Sequence, residues 1–278
     1  MKKVREMSNL QQRIIAGALG ALVLGLCIYL DPLSAALLLT AIAIFTQWEF
    51  YGLLGMDGNY PFRLIGTFIG AASVMITYLV MENDLPLGVF LLLFPLFSLL
   101  FILKLYHHAH KPFIDVALTV TGVVYIAFSF ALLLMSSYQA TGRYSPGSLL
   151  GFLLLLWASD VGAYFAGKAF GKRKLFERVS PKKTWEGLAG GALLSISVAL
   201  FLPQLLGVWS WSQWMTMSVI IVVFGSYGDL VESQFKRSLK IKDSGSLIPG
   251  HGGFMDRFDG LLLAAPFIAV YCYFISNF

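Results

Sequence analysis

Nine stretches of this chain are apolar for about as long as a helix needs to cross a bilayer, and that property excludes most folds. They run over roughly 14–30, 33–54, 62–81, 85–103, 113–136, 148–169, 187–206, 212–235 and 261–276. A spanning helix takes about 20 predominantly apolar residues. In hydrocarbon every backbone polar group must find a partner within the chain, which leaves helices or a closed barrel. These runs are continuous rather than alternating, so helices are expected. Only 13% of residues are charged and the mean hydropathy is +0.76, whereas soluble domains carry about 25% charge. The expected fold class is all-α: a polytopic integral membrane protein of about nine transmembrane helices.

The basic residues predict its orientation. With the N-terminus in the cytoplasm and the runs alternating, 19 of the 20 Lys and Arg fall on the cytoplasmic side, and only Arg143 falls outside. Cytoplasmic loops carry such an excess, so the C-terminus is expected outside and the protein in the cytoplasmic (inner) membrane. The first run follows a basic head but lacks a clear small-x-small cleavage site, and it reads as a retained helix. Cys27 and Cys272 lie in different runs with no C-x-x-C, so zinc and redox motifs are absent and both read as packing residues.

Two regions are expected. Residues 1–140 read as a lipid-embedded scaffold of about five helices with short loops. Within it, Gly66 and Gly70 have the spacing of a close helix approach or of ordinary membrane glycine usage. His107, His108 and His110 read as a wet cytoplasmic loop rather than a metal site. Residues 141–278 read as a catalytic region of about four helices with two basic cytoplasmic loops.

Asp160 sits inside "LLLLWASDVGAYFAGKAFG", and Asp229 and Glu232 inside "VVFGSYGDLVESQFKR". A charge at the centre of a membrane helix costs about 2.5–3.5 kcal/mol, so such residues mark functional sites by default. Asp160, Tyr164, Gly167 and Gly171 share one helix face, as do Asp229, Glu232, Ser233 and Lys236. Asp256 and Asp259 are three residues apart, and on a helix their carboxylates would converge. Paired oxygen ligands suit a hard divalent cation whose shell is completed by water and phosphate.

The loops 170–187 and 236–260 carry Lys172, Arg173, Lys174, Arg178, Lys182, Lys183, Lys236, Arg237, Lys240, Lys242 and Arg257. Topology and anionic lipid account for the charge. They do not account for Gly171, Ser180, Thr184, Gly250, Gly252 and Gly253 between the charges. Glycines let backbone N–H groups approach phosphate, and lysines neutralise it. G-x-x-x-x-G-K-[ST] is absent, so this is not a P-loop.

"SQFKRSLKIKDSGSLIPGHGGFMDRFDG", Ser233 to Gly260, closely resembles the signature of the phosphatidate cytidylyltransferases, or CDP-diacylglycerol synthases. The matching residues are Ser233, Lys236, Arg237, Lys242, Asp243, His251, Gly252, Gly253, Asp256, Arg257 and Asp259. A second block, "SDVGAYFAGKAFGKRKL" with "SPKKTWEG", is similar to the family's. The first five runs carry no specific match.

The resemblance implies an enzyme that condenses CTP with phosphatidate, giving CDP-diacylglycerol and pyrophosphate, with magnesium as cofactor. A second cation is left open. Asp229, Asp256 and Asp259, with Lys236 and Arg237, would carry the chemistry. Asp229, Asp256, Asp259 and Glu232 would be the metal ligands; Glu232 and Asp160 would otherwise serve a second cation or orient basic side chains. Lys182, Lys183, Lys172, Ser180, Arg257, Asp160 and Tyr164 would bind substrate. Gly252 and Gly253 would admit the nucleotide, and His251 would meet phosphate or cytosine. The implied partners are CTP and phosphatidate in the membrane, no nucleic acid is expected, and a homodimer is left open. Two rival readings share some of these features. An ion-coupled transporter also uses intramembrane acids, but it should show related halves. A CDP-alcohol phosphotransferase should show a D-G-x-x-A-R array, which is not present.

Overall fold

The computed structural model describes residues 9–106, 111–139, 141–245 and 252–277. His107, His108, His110 and His251 lie outside them. Eleven helices follow in order: α1 Asn9–Leu30, α2 Pro32–Met56, α3 Arg63–Met81, α4 Leu93–Leu105, α5 Pro112–Gly122, α6 Phe128–Met135, α7 Pro146–Phe170, α8 Trp185–Ala199, α9 Leu202–Leu206, α10 Trp211–Ser238 and α11 Met255–Asn277. A 3₁₀ segment, Leu87–Leu92, leads into α4, and a π turn, Val123–Ala127, joins α5 to α6.

Every apolar run became helix. Seven segments among the described residues have spanning length: Pro32–Met56, Arg63–Met81, Leu87–Leu105, Pro112–Met135, Pro146–Phe170, Trp211–Ser238 and Met255–Ile275. Two more are apolar but shorter, Gly17–Leu30 and Trp185–Ala199. The break after α8 precedes Pro203, whose ring cannot continue a helix from the preceding turn. α8 and α9 together still run the length of α7. Gly167 at one end of α7 lies against Thr184 and Gly187, and Gly147 at the other end lies against Leu206 and Val208.

Local signals set several helix starts. The Asp31 side chain accepts from Ser34 N–H at 2.9 Å, with Pro32 in the first turn of α2. Ser210 and Gln213 cap α10 reciprocally. The all-α expectation needs one amendment. The first basic loop folds into a hairpin of β1 (Lys174–Phe176) and β2 (Ser180–Thr184), antiparallel, with Lys174 opposite Thr184 and Phe176 opposite Ser180.

The helix ends sort into two groups. At one end Lys104 pairs with Asp115 at 2.8 Å and donates to the Tyr60 carbonyl. At the other end Tyr138 donates to Glu82 at 2.6 Å and Tyr144 to the Ile28 carbonyl at 2.7 Å. These two sets of contacts are compatible with alternating crossings. Gly66 and Gly70 do mark a close approach. Side chains of α2 fill the space, because a Cβ on Gly66 would meet the Tyr51 hydroxyl and one on Gly70 would meet Gln47. Those polar groups are used at once: Tyr51 donates to Thr119 O at 2.7 Å and Gln47 Nε2 to Gly122 O at 3.2 Å, beside the π turn. The larger core cluster joins α2, α6, α7, α10 and α11 around Trp214, Phe130, Phe152 and Leu155, all 1% exposed or less.

Candidate active site

Where α7 ends and α11 begins, a cavity of about 520 Å³ opens between α7, the hairpin, α8, α10 and α11. Small residues make it possible for α7 and α8 to lie close enough to frame it. A Cβ on Gly162 would come within 2.5 Å of the Gly190 carbonyl, and one on Gly191 within 2.7 Å of the Ser159 carbonyl. Thr184 ends β2 and starts α8, its hydroxyl accepting from Gly187 N–H at 3.1 Å. Two residues on, Glu186 accepts from the backbone N–H groups of Lys172 (3.0 Å) and Arg173 (3.1 Å), which ties the base of the hairpin to α8. Those N–H groups, Lys172's first, hold the Glu186 carboxyl below its usual range.

The hairpin thereby delivers Lys182 and Lys183 to the cavity wall. α7 supplies Asp160, Tyr164 and Gly167; α10 supplies Asp229; α11 supplies Asp256, Arg257 and Asp259. Leu156, Trp157 and Leu188 form its apolar side. Lys183 Nζ stands 2.6 Å from Asp229 Oδ2 and donates to Ser226 O at 3.3 Å. The other Asp229 oxygen accepts from Ser233 Oγ at 3.2 Å.

Behind the wall, Lys236 bridges two acids, Glu232 at 2.7 Å and Asp256 at 2.5 Å. The second Asp256 oxygen accepts the N–H groups of Ser244 (2.9 Å) and Gly253 (3.1 Å). Asp229, Glu232 and Asp259 each turn an oxygen inward, and these atoms lie within 4.8 Å of one another. Glu232 is 1% exposed and its Oε1 has no hydrogen-bond partner. A buried carboxylate oxygen without a donor is costly, and a cation in the cluster would satisfy it.

The eight predicted residues Asp160, Tyr164, Lys182, Lys183, Asp229, Asp256, Arg257 and Asp259 are thus gathered around one space. Glu232 and Lys236 stand beside it in the charge network. Asp256 and Asp259 part company rather than converging: Asp256 faces Lys236, while Asp259 joins Asp229 and Glu232. Lys236 and the N–H groups of Ser244 and Gly253 hold Asp256 on its own side, which accounts for the separation. Arg237 donates to Ile241 O at 3.0 Å beyond the end of α10. Lys172 is exposed, Ser180 begins β2, and Gly252 and Gly253 form a turn outside the cavity wall. Gly252 has φ +83°, which favours glycine. Gly253 is pressed against Ser244 and Glu49, so the need for glycine there is met by protein atoms.

Glu49 itself was missed. It comes from α2, in the half read as scaffold, and accepts from Met255 N–H at 3.0 Å and Ser244 Oγ at 3.3 Å. An acid inside an apolar run was the available signal.

The chain matches the model of a family described as "Cytidylyltransferase family" over residues 11–275. It is 30% identical over 270 residues to a protein of Bacillus subtilis (strain 168) named phosphatidate cytidylyltransferase, covering 94% of this chain and 97% of that one. A Haemophilus influenzae protein of the same name is 45% identical over 132 residues, 46% of each chain. One from Staphylococcus epidermidis is 39% identical over 160 residues, 57% of this chain and 59% of the relative. The last two alignments span about half of those relatives' length. The transporter reading gains no support from these matches.

Proposed function

The chain belongs to the cytidylyltransferase family, and from that premise we propose that it condenses CTP with phosphatidate, releasing pyrophosphate and leaving CDP-diacylglycerol in the membrane. One observation carries the substrate assignment. A single cavity offers Lys182, Lys183 and Arg257 to phosphates, and Leu156, Trp157 and Leu188 of apolar helices to a lipid.

A phosphate monoester is largely dianionic near neutrality, its second pKa being about 6. Phosphatidate therefore needs no strong base to attack the α-phosphorus of CTP. The work left to the protein is positioning and neutralisation of charge. Lys182 and Arg257 meet phosphate oxygens directly. Lys183 is held by Asp229 until a phosphate competes for it. Lys236, occupied by Glu232 and Asp256, orders those acids and is not free for phosphate. Asp160 and Tyr164 orient the substrates from α7. Magnesium fits the cluster of Asp229, Glu232 and Asp259, where the orphaned Glu232 oxygen needs a partner. Bound there with waters and phosphate oxygens, it would supply further neutralisation of the phosphates. Asp160 would serve any second cation.

We further propose nine crossings, with α1 and the broken pair α8–α9 joining the seven long helices. The N-terminus and the site face the cytoplasm and the C-terminus lies outside. Residues 141–278 hold the site and residues 1–140 support it.

The activity test uses purified full-length protein in detergent. Pyrophosphate release from CTP should appear only when phosphatidate is added; release without the lipid, or none with it, would overturn the assignment. For orientation, single cysteines replace Asn83 or Ser180 after Cys27 and Cys272 are removed. On intact cells an impermeant thiol reagent should label Asn83→Cys and spare Ser180→Cys, and the reverse would invert the topology.

A further inference from the structure

Glu49 lies two turns before the end of α2, is 7% exposed, and reaches the start of α11 across 206 residues of sequence. Met255 opens α11, so its N–H is one of the four that a helix N-terminus leaves without an intrahelical partner. Glu49 Oε2 accepts it at 3.0 Å, placing a carboxylate at the positive end of the helix dipole. The same oxygen accepts Ser244 Oγ at 3.3 Å. Ser244 N–H and Gly253 N–H in turn hold Asp256, which holds Lys236. Gly245 and Gly253 leave room for the Glu49 carboxylate, since a Cβ on either would come within 2.7 Å of it. Nearby on α2, Phe45 stacks on Phe254, ring centroids 4.9 Å apart, and Phe50 meets Phe235 of α10 at 5.3 Å.

We propose that Glu49 is a positioning residue for the active site: by capping α11 and gripping Ser244 it fixes the turn that seats Asp256 against Lys236. It does not line the cavity. What it controls is where Asp256 and Lys236 stand relative to Glu232 and the cavity. The role of the site rests on the function proposed above, whereas the grip on the turn does not depend on it.

Two measurements on purified full-length protein separate the claims. Hydrogen exchange at Ser244, Gly253 and Met255 reads the grip, and initial rates with CTP and phosphatidate, per folded molecule and well below the unfolding temperature, read the site. Glu49→Ala should speed exchange at Ser244, Gly253 and Met255 while α3 and α5 stay as protected as in the wild type. It should lower kcat/KM for CTP by about tenfold or more, the scale of a lost charge-assisted hydrogen bond. Glu49→Asp keeps the charge but is a methylene short, and should behave like Ala. Glu49→Gln keeps both reach and an acceptor, and should restore activity to within about threefold and restore protection.

Unchanged exchange and rate in Glu49→Ala would overturn the proposal. So would faster exchange spread evenly over the chain with normal activity per folded molecule, because that describes general stability. Should Glu49→Ala not fold, Glu49→Gln decides: an inactive Gln variant with a protected turn would show that charge, not grip, matters. An inactive wild type would sink the enzyme assignment and leave the exchange result standing.

Discussion

Lys104 and Asp115 in the N-terminal half form an ion pair at 2.8 Å, 6% and 1% exposed. Lys183 and Asp229 in the C-terminal half form one at 2.6 Å, 26% and 41% exposed. The chemistry is the same and the surroundings differ. Around the first pair the partners are protein groups in a closed setting: Lys104 also donates to Tyr60 O, and Asp115 accepts Tyr60 N–H. Around the second, Asp229 shares a cavity wall with Asp160, Asp259, Lys182 and Arg257, and faces space. A buried charge in a membrane helix marks a site when its partners leave lone pairs and protons to spare. It marks a strut when they do not.

The largest expected effect falls on the strut. Asp115→Asn strands the Lys104 ammonium, and removing one member of a buried pair costs about 3–5 kcal/mol. Thermal unfolding in detergent should register that loss, with kcat/KM per folded molecule unchanged. Lost activity in a protein of normal stability would break the comparison by moving this pair into the site.

Next come the acids that face the cavity. Asp229→Asn and Asp259→Asn should each fold, yet lose at least about a hundredfold in CDP-diacylglycerol synthesis, roughly 2.7 kcal/mol of barrier. Product formation measured against magnesium concentration should show a raised requirement in both. Asp256→Asn should match the loss by a different route, releasing Lys236 and the Ser244 turn, and should therefore also lower stability. Near-normal activity of Asp256→Asn with an unchanged magnesium requirement would make that acid purely structural.

The cations of the cavity rank third. Lys182→Ala with Lys183→Ala should lower kcat/KM for CTP, each contact being worth about 1.5–3 kcal/mol where water is excluded and less where it is not. Lys183 should contribute more, because it is the less exposed and already pairs with Asp229. Unchanged CTP kinetics in correctly inserted protein would return the hairpin to a purely topological role.

These contrasts also show what the sequence made legible. Nine apolar runs became helices because length and hydropathy are local properties. The charged faces of α7 and α10 were readable for the same reason: Ser233 does reach Asp229, and Lys236 does reach Glu232, four residues apart. The hairpin was not readable, since "KLF" and "SPKKT" are too short to display a two-residue period. The fate of Asp256 was not readable either. Spacing put it with Asp259, but its partner was decided by where the Ser244 turn lies. Glu49 had a visible signal and no visible partner, because Ser244 and Met255 are 195 and 206 residues away. Gly66 and Gly70 announced a close approach without naming Tyr51 and Gln47 as what approaches.

Glycines extend the comparison at lower cost. A Cβ on Gly66 would come within 2.5 Å of the Tyr51 hydroxyl, and one on Gly190 would run into Ala166. Overpacking costs about 1–3 kcal/mol, so Gly66→Ala and Gly190→Ala should lower stability similarly. Only Gly190→Ala should also raise KM for CTP, because α8 carries the hairpin that presents Lys183. Equal kinetic effects from both would mean the cavity answers to strain anywhere in the bundle.

The smallest effect tests the same idea with single hydroxyls. Ser233 Oγ donates to Asp229 at 3.2 Å, a long bond to an acid that keeps Lys183 as its main partner. Thr119 Oγ1 accepts from Phe62 N–H at 2.9 Å and donates to Asp115 O at 2.7 Å, fully buried. An ordinary hydrogen bond contributes about 0.5–1.5 kcal/mol net, and a buried donor left alone costs about 1–3. Thr119→Val should therefore lower stability by the larger amount, with normal kinetics, since it removes the buried hydroxyl that accepts the Phe62 N–H and bonds Asp115 O. Ser233→Ala should leave the unfolding temperature almost unmoved, because Asp229 can still turn to Lys183 and water. Its cost should appear in the rate as a two- to tenfold fall in kcat/KM, the same 0.5–1.5 kcal/mol expressed as a barrier. If Ser233→Ala instead destabilises the protein and spares the rate, Asp229 is held as rigidly as Asp115, and the open and closed pairs are not different in kind.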